Sequence, residues 1–413
     1  MLSNTLPKHN KINILNSGII KSWQFVGLLF FISPICALPF LLIEIYNKKR
    51  YAFTLLAIFM GFAAWLFPPI YDSYHHYLDF WEIQNNTYSS EKNEVKFDFI
   101  LHSLDKMVGY IGLTFEIVKF VSVWLCYEII FWIFRDLVKR YKYLRTHYFL
   151  YFLLFFISIP FVDIAIGMRQ IQATCLFILA VYLLYYKNIW GYVFAFLACG
   201  MHYSFLLYII PFIIFINRHL TISNKKVFIC IALIFIFFNP IIINKILLAL
   251  PIPRMLFYII DGYINGKYSE AMLEGRNLKY MVFFLFTQFQ LILYIILSIK
   301  LPNRNLTSLS KFGLIILALD YCISFILFGR FIIVFALITV IALLQNGIKN
   351  IKKWVVALVC FGFISSIMSL VPYRDVIISS NEYRLALPIP TILISNYTQQ
   401  WIYDHYNDEG HPK

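Results

Sequence analysis

Asp72, His75, His76 and Asp79 fall at i, i+3, i+4 and i+7 in Tyr71-Asp72-Ser73-Tyr74-His75-His76-Tyr77-Leu78-Asp79, so a helix there gathers two carboxylates and two imidazoles on one face. Aromatic rings beside carboxylates suit sugars, which present apolar ring faces and hydroxyls together. The same residues also fit an interfacial tyrosine belt with a helix-capping Asp, and they are metal-ligand types, although nothing in the sequence fixes a metal geometry.

Arg169 is the sole base in the short segment Asp163-Ile-Ala-Ile-Gly-Met-Arg169-Gln170. A guanidinium stays charged and its fork of donors matches phosphate oxygens; the alternative is an arginine that pairs with Asp163 while its stem snorkels. His202 sits among Cys199, Met201, Tyr203 and Ser204 and reads either as a general base near neutral pH or as a packing histidine. Arg330, in Phe328-Gly329-Arg330-Phe331, is expected at an outer turn, as a ligand or a simple anchor. Arg254, Lys267, Arg276 and Lys279 make a late loop basic enough to meet an anionic head group, or are merely solvated. Glu128 and Asp320 lie within apolar runs and need partners, for which Lys119 and Lys245 are candidates. No D-x-D near a membrane surface, P-loop, G-x-S-x-G or H-E-x-x-H occurs, which weighs against those reaction classes.

The elements that must carry these residues are set by composition. Of 413 residues 61% are apolar, 19% aromatic and only 14% charged, which excludes a water-soluble enzyme. Apolar stretches recur from Trp23 to Pro372, so residues 23–372 are expected to form one polytopic membrane domain between a polar tail, 1–22, and an external tail, 373–413. Amides in lipid must be satisfied internally, so the fold class is all-α. The expected spans are Trp23 to Ile45, Tyr51 to Ile70, Ile117 to Phe134, Phe149 to Val162, Ile171 to Tyr186, Val227 to Leu248, Met281 to Ile299, Phe312 to Phe328, Phe331 to Gln345 and Trp354 to Val371. Seven scattered cysteines suggest neither disulfides nor zinc, and the basic N-terminal tail precedes an apolar run without a cleavage site, as in an uncleaved first span.

The net charge of +14 arises from bases clustered between spans, an orientation signal rather than a nucleic-acid surface. Lys48 to Arg50, Arg135 to Arg145, Lys187, Arg218 to Lys226, Lys300 to Lys311 and Lys349 to Lys353 hold eighteen bases and one acid, Asp136. Loop 71–106 carries seven acids against three lysines, so it is assigned outside and the basic connections inside. Loop 251–280 is then external too. Trp190 to Ile216 has bases on both sides and must enter and leave on one face, as two helices meeting near Gly200-Met201-His202. About twelve helices result, with both termini outside.

Tyr71-Asp72-Ser-Tyr74-His-His-Tyr77, Gly167-Met-Arg169-Gln170-Ile-Gln-Ala173 and Leu197-Ala-Cys-Gly-Met-His202-Tyr-Ser204, in this order and hydropathy frame, resemble the EpsG-type branch of the bacterial O-antigen and exopolysaccharide polymerases (Wzy). Asp is usually followed directly by Tyr in that family, whereas Ser73 intervenes here. The resemblance covers about residues 50 to 345. It implies a GT-C-like membrane glycosyltransferase of the bacterial inner membrane that joins undecaprenyl-diphosphate-linked oligosaccharide units for surface polysaccharide or lipopolysaccharide, without cofactor or metal. Arg169, with Arg330, would bind the diphosphate; His202 or Asp72 would take the acceptor proton. Tyr71, Tyr74, His75, His76, Tyr77 and Gln170 would hold sugar, and Arg254 and Arg276 the anionic lipid. Membrane lipids and a chain-length regulator are the other expected partners, and no nucleic acid. A lipid-linked oligosaccharide flippase or a membrane acyltransferase using His202 are the alternatives.

Overall fold

The apolar runs fold as helices because a backbone removed from water must satisfy its own amides. The computed structural model describes residues 21–85, 87, 99–237, 278–302, 305–323, 325–346 and 352–407, and no strand occurs among the described residues. In chain order the helices are α1 (Ser22–Ile32), α2 (Pro34–Tyr46), α3 (Arg50–Leu66), α4 (Asp72–Gln84), α5 (Phe99–Tyr110), α6 (Phe115–Arg140), α7 (Tyr148–Ile157), α8 (Phe161–Ile166), α9 (Met168–Tyr185), α10 (Trp190–Met201), α11 (Leu206–Asn217) and α12 (Asn224–Phe237). After a gap in the description come α13 (Leu278–Lys300), α14 (Asn305–Ile323), α15 (Phe325–Asn346), α16 (Lys352–Met368) and three short helices, α17 (Arg374–Ser379), α18 (Ile389–Leu393) and α19 (Gln399–His405). Among the described residues four stretches, Phe115–Arg140, Met168–Tyr185, Leu306–Ile323 and Leu327–Asn346, are long and apolar enough to cross a membrane alone. Shorter apolar helices pack around them.

Lipid tails are as apolar as leucine, so helices in a membrane associate through close packing rather than through expulsion of water. The core shows this. Phe53 of α3 meets the rings of Phe131, Phe134, Tyr148 and Phe152 at centroid distances of 5.5 to 6.4 Å. On α10, Gly191 lets the backbone lie against Ala180 and Leu184 of α9, where even a Cβ would come within 2.9 Å of the Ala180 carbonyl.

The basic connections converge on one end of the bundle. Lys48 Nζ donates to the Arg145 carbonyl, Gln345 Nε2 to the hydroxyls of Tyr141 and Tyr185, Asn217 to Tyr192, and Asn224 to the Ile299 carbonyl. Arg140 stacks over Tyr186 and Lys300 over Trp354. The 18 residues of α9 rise about 27 Å from this end, close to the roughly 30 Å of a hydrocarbon core. Its N-terminus, with Arg169, is therefore at the opposite end.

Four expectations need correction. The run Trp23 to Ile45 is not one span but a hairpin: Ser33 is extended before Pro34, which starts α2, and Ser22 Oγ returns to within 3.4 Å of Glu44. Both arms start and finish at the basic end, so the segment at Lys21 lies there rather than outside, as its own charge prefers. Gly329 and Arg330 form no turn; both are helical within α15. The run Phe149 to Val162 is interrupted at Pro160, leaving α7 with 10 residues and a separate α8. Residues 373–407, within the expected external tail, form a folded segment that packs on α2 and α3 and exposes Ile378, Tyr383 and Ile394. Within 71–106 the described residues form two helices, α4 and the start of α5, packed together. Nearly all of 251–280, with Lys245, lies outside the described residues. The pair of helices expected across Trp190 to Ile216 is present as α10 and α11, with His202 at the junction.

Candidate functional site

At the end opposite the bases, Pro68 and Pro69 follow α3 and turn the chain into α4. Tyr71 takes φ 51° and ψ −116° there, a costly conformation for a bulky residue that persists only where the surroundings fix it. It delivers Asp72 to the first turn of α4, where a carboxylate is favoured by the helix dipole. Gly167 separates α8 from α9 and places Arg169 in the first turn of α9.

Arg169 Nη2 donates to Asp72 Oδ1 at 2.7 Å, and His76 Nε2 lies 3.6 Å from Asp72 Oδ2. Burial by itself would raise the Asp72 carboxyl, but His76 and then Arg169 hold it well below the usual carboxylate range. The residue remains about a third exposed at its side chain (36%), so this pair borders an opening and is not a sealed core contact.

His202 occupies the extended break between α10 and a short 3-10 turn, Tyr203–Phe205, and is 3% exposed. Its Nδ1 lies 2.8 Å from Ser204 Oγ and 3.3 Å from the Ser204 backbone nitrogen; its Nε2 lies 3.3 Å from Arg330 Nη1. A guanidinium only donates, and the Ser204 backbone N–H donates to Nδ1, so both ring nitrogens face a donor and compete for the one lone pair of a neutral imidazole. The helix that carries Arg169, α9, packs against both α15, which carries Arg330, and the 3-10 turn that follows His202, so the two pairs sit on neighbouring elements. Residues 97 positions apart are thus joined in one pair, and residues 128 apart in the other.

The arrangement offers two cations, one imidazole whose Nε2 faces a cation, and one ionised carboxylate. An anionic ligand that draws Arg330 away would uncover that nitrogen and remove a charge that suppresses its basicity. Among the described residues no group of three or more His, Cys, Asp and Glu is placed to share a metal ion.

Of the other sequence candidates, Tyr71 packs edge-on against Tyr373, 6.0 Å between centroids. His75 is exposed. Tyr74 and Tyr77 are buried: Tyr74 meets Tyr406, and Tyr77 meets Phe115 and donates to the Tyr397 carbonyl. Gln170 is half-buried beside Arg169, and Arg254 and Arg276 lie outside the described residues. Arg169 pairs with Asp72 rather than Asp163. Glu128 bonds Arg135 at 3.0 Å and Thr54 at 3.4 Å rather than Lys119; Asp320 lies beside Tyr208. Lys119 instead donates to the Phe67 carbonyl at the end of α3. That Ser204 stands beside His202 was legible in the His-x-Ser spacing; the partner of Lys119 was not.

The model of the EpsG family matches residues 51–384, a span that holds all four clustered residues. The chain belongs to the EpsG family. The family is of the polysaccharide-polymerase, glycosyltransferase-like kind, and its membrane character agrees with the apolar helices of this chain. No curated protein and no solved structure matches it.

Proposed function

We propose that this EpsG-family protein polymerises oligosaccharide repeat units carried on undecaprenyl diphosphate, at the outer face of the bacterial inner membrane, in a helical bundle with a GT-C-like plan. The observation that carries the reading is the convergence of Arg169, Arg330, His202 and Asp72 at the end of the bundle away from the basic connections. Basic connections favour the cytoplasm, so the cluster faces the periplasm, where nucleotide sugars are absent and a lipid-linked donor is required.

The donor diphosphate takes Arg330 and Arg169 as its counter-charges, and both stabilise the negative charge that develops on it as it leaves. Departure of Arg330 toward the diphosphate frees His202 Nε2, which accepts the proton of the acceptor hydroxyl, with the Ser204 hydroxyl beside Nδ1 at 2.8 Å to steady the ring. The acceptor oxygen bonds to the anomeric carbon, the carbon–diphosphate oxygen bond breaks, and the configuration inverts. Asp72 serves better as the anchor of Arg169 than as the base, because its neighbours hold it ionised and weakly basic. His76 and exposed His75 border the sugar.

The test replaces Arg169 and His202 separately with Ala and displays surface polysaccharide on a gel, with protein level controlled. Loss of the ladder with single units still at the surface supports polymerisation. Units retained inside the cell support a flippase, normal length without acyl groups an acyltransferase, and full ladders from both variants remove these residues from the reaction.

A further inference from the structure

The strained corner between α3 and α4 sets where Asp72 points, yet nothing in residues 66–72 alone holds it. Two side chains from elsewhere seize the carbonyls that end α3. Lys119 Nζ donates to Phe67, and the Tyr397 hydroxyl donates to Leu66. These are carbonyls that a helix leaves without intrahelical partners, and a cation beside them is favoured by the helix dipole. Just before them, Trp65 Nε1 donates to the Ser395 carbonyl at 2.8 Å.

Beyond the corner the same residue appears again. The Tyr77 hydroxyl on α4 donates to the Tyr397 carbonyl. The Tyr397 backbone N–H donates to Glu116 Oε1 at 3.0 Å, its ring lies 5.6 Å from Lys119 Nζ, and the Asn381 backbone N–H reaches its hydroxyl at 3.4 Å. Tyr397 is buried, at 4% exposure, and uses its hydroxyl on α3 and its carbonyl on α4. It also stands outside residues 51–384, the part that the family model covers.

We infer that Tyr397 is a positioning residue: it braces the α3–α4 corner and thereby fixes where Asp72 meets Arg169, an inference that rests on the reading of that pair as part of the polymerising site. It touches no substrate. Its effect passes through Leu66 and Tyr77 to Tyr71 and Asp72, and the φ of Tyr71 is tolerable because both sides of the bend are tied to one residue.

The test compares Y397F, Y77F, the double variant, R169A and Y143F in full-length protein, with lipid-linked repeat unit extracted from the host's membranes as substrate. Y143F removes a tyrosine-to-carbonyl bond of the same kind, to Leu344, at the basic end. We expect Y397F to lower kcat about tenfold, since a displacement of about 1 Å costs up to roughly a hundredfold. KM stays within about twofold, and the double variant is no worse than the poorer single one, because both bonds belong to one brace. Y143F keeps its kcat. Wild-type kcat in Y397F, or an equal loss in Y143F at matched melting temperature, overturns the brace. If R169A also retains kcat, the site reading itself fails; if R169A is inactive and Y397F is not, only the brace fails.

Discussion

The Asp72–Arg169 pair is short but borders solvent, with side-chain exposures of 36% and 28%. Pairs this exposed contribute about 1 kcal/mol or less to stability, so an activity loss in Asp72→Asn that exceeds its melting shift reports on chemistry. The pH dependence has a definite sign. The folded pKa of Asp72 lies below its unfolded value, so the pair's contribution is present above about pH 4 and is lost only as pH falls through the folded value. We therefore expect the melting difference between H76Q/D72N and H76Q, which isolates the Arg169 pair, to stay constant from about pH 5 to about pH 8; a difference that vanishes within that window contradicts the assigned pair. The sequence placed Asp72 among the reactive residues from its helical spacing with His75, His76 and Asp79, and Arg169 and His202 from their isolation among apolar residues. It did not tell which pairs form, because Arg169 had Asp163 six residues away and the true partner 97 away. Tyr74 and Tyr77 looked like a sugar-binding belt, yet their alternation with Asp72 and His76 around α4 turns them inward, against Tyr406 and Phe115.

At the scale of elements, α9 is the rod that links both ends, and α10 is held to it by the absence of a side chain at Gly191. An added Cβ would stand 2.5 Å from Leu184 Cγ and 2.9 Å from two backbone atoms, which have little room to yield. Gly191→Ala is expected to cost about 1–3 kcal/mol through overpacking and to loosen His202, which α10 carries at its far end. Gly27→Ala, on a glycine with nothing within 4 Å, provides the control and leaves melting unchanged or slightly raised. Thermal unfolding of the two purified variants decides; equal melting temperatures would show that the close approach is unimportant. The paired helices around His202 were legible because bases flank them on both sides. The hairpin of α1 and α2 was not, since hydropathy records burial in lipid and not direction, and a mostly apolar run of 23 residues, Trp23 to Ile45, reads equally well as one crossing or as two short arms. Only Pro34 marks the bend.

For the whole molecule the division between a basic end and a reactive end yields a prediction independent of any substrate. A cysteine at exposed Gln399 should react with a membrane-impermeant maleimide in intact spheroplasts, and one at exposed Lys139 only after permeabilisation. The reverse pattern would place the cluster in the cytosol and remove the need for a lipid-linked donor. The all-helical class and the family were legible because composition and short motifs survive without knowledge of contacts. The role of the C-terminal residues was not, since Tyr397 acts on partners 281 and 331 positions earlier and looks in isolation like part of a polar tail.

That distance along the chain also sets a schedule. Ribosomes deliver the N-terminal parts first, so α3, α4, α6 and α9 are made well before Tyr397 emerges to tie the bend. On the brace inferred above, a growing chain carries its arginines and histidine before they are aligned, and the corner is tied only once residue 397 has been made.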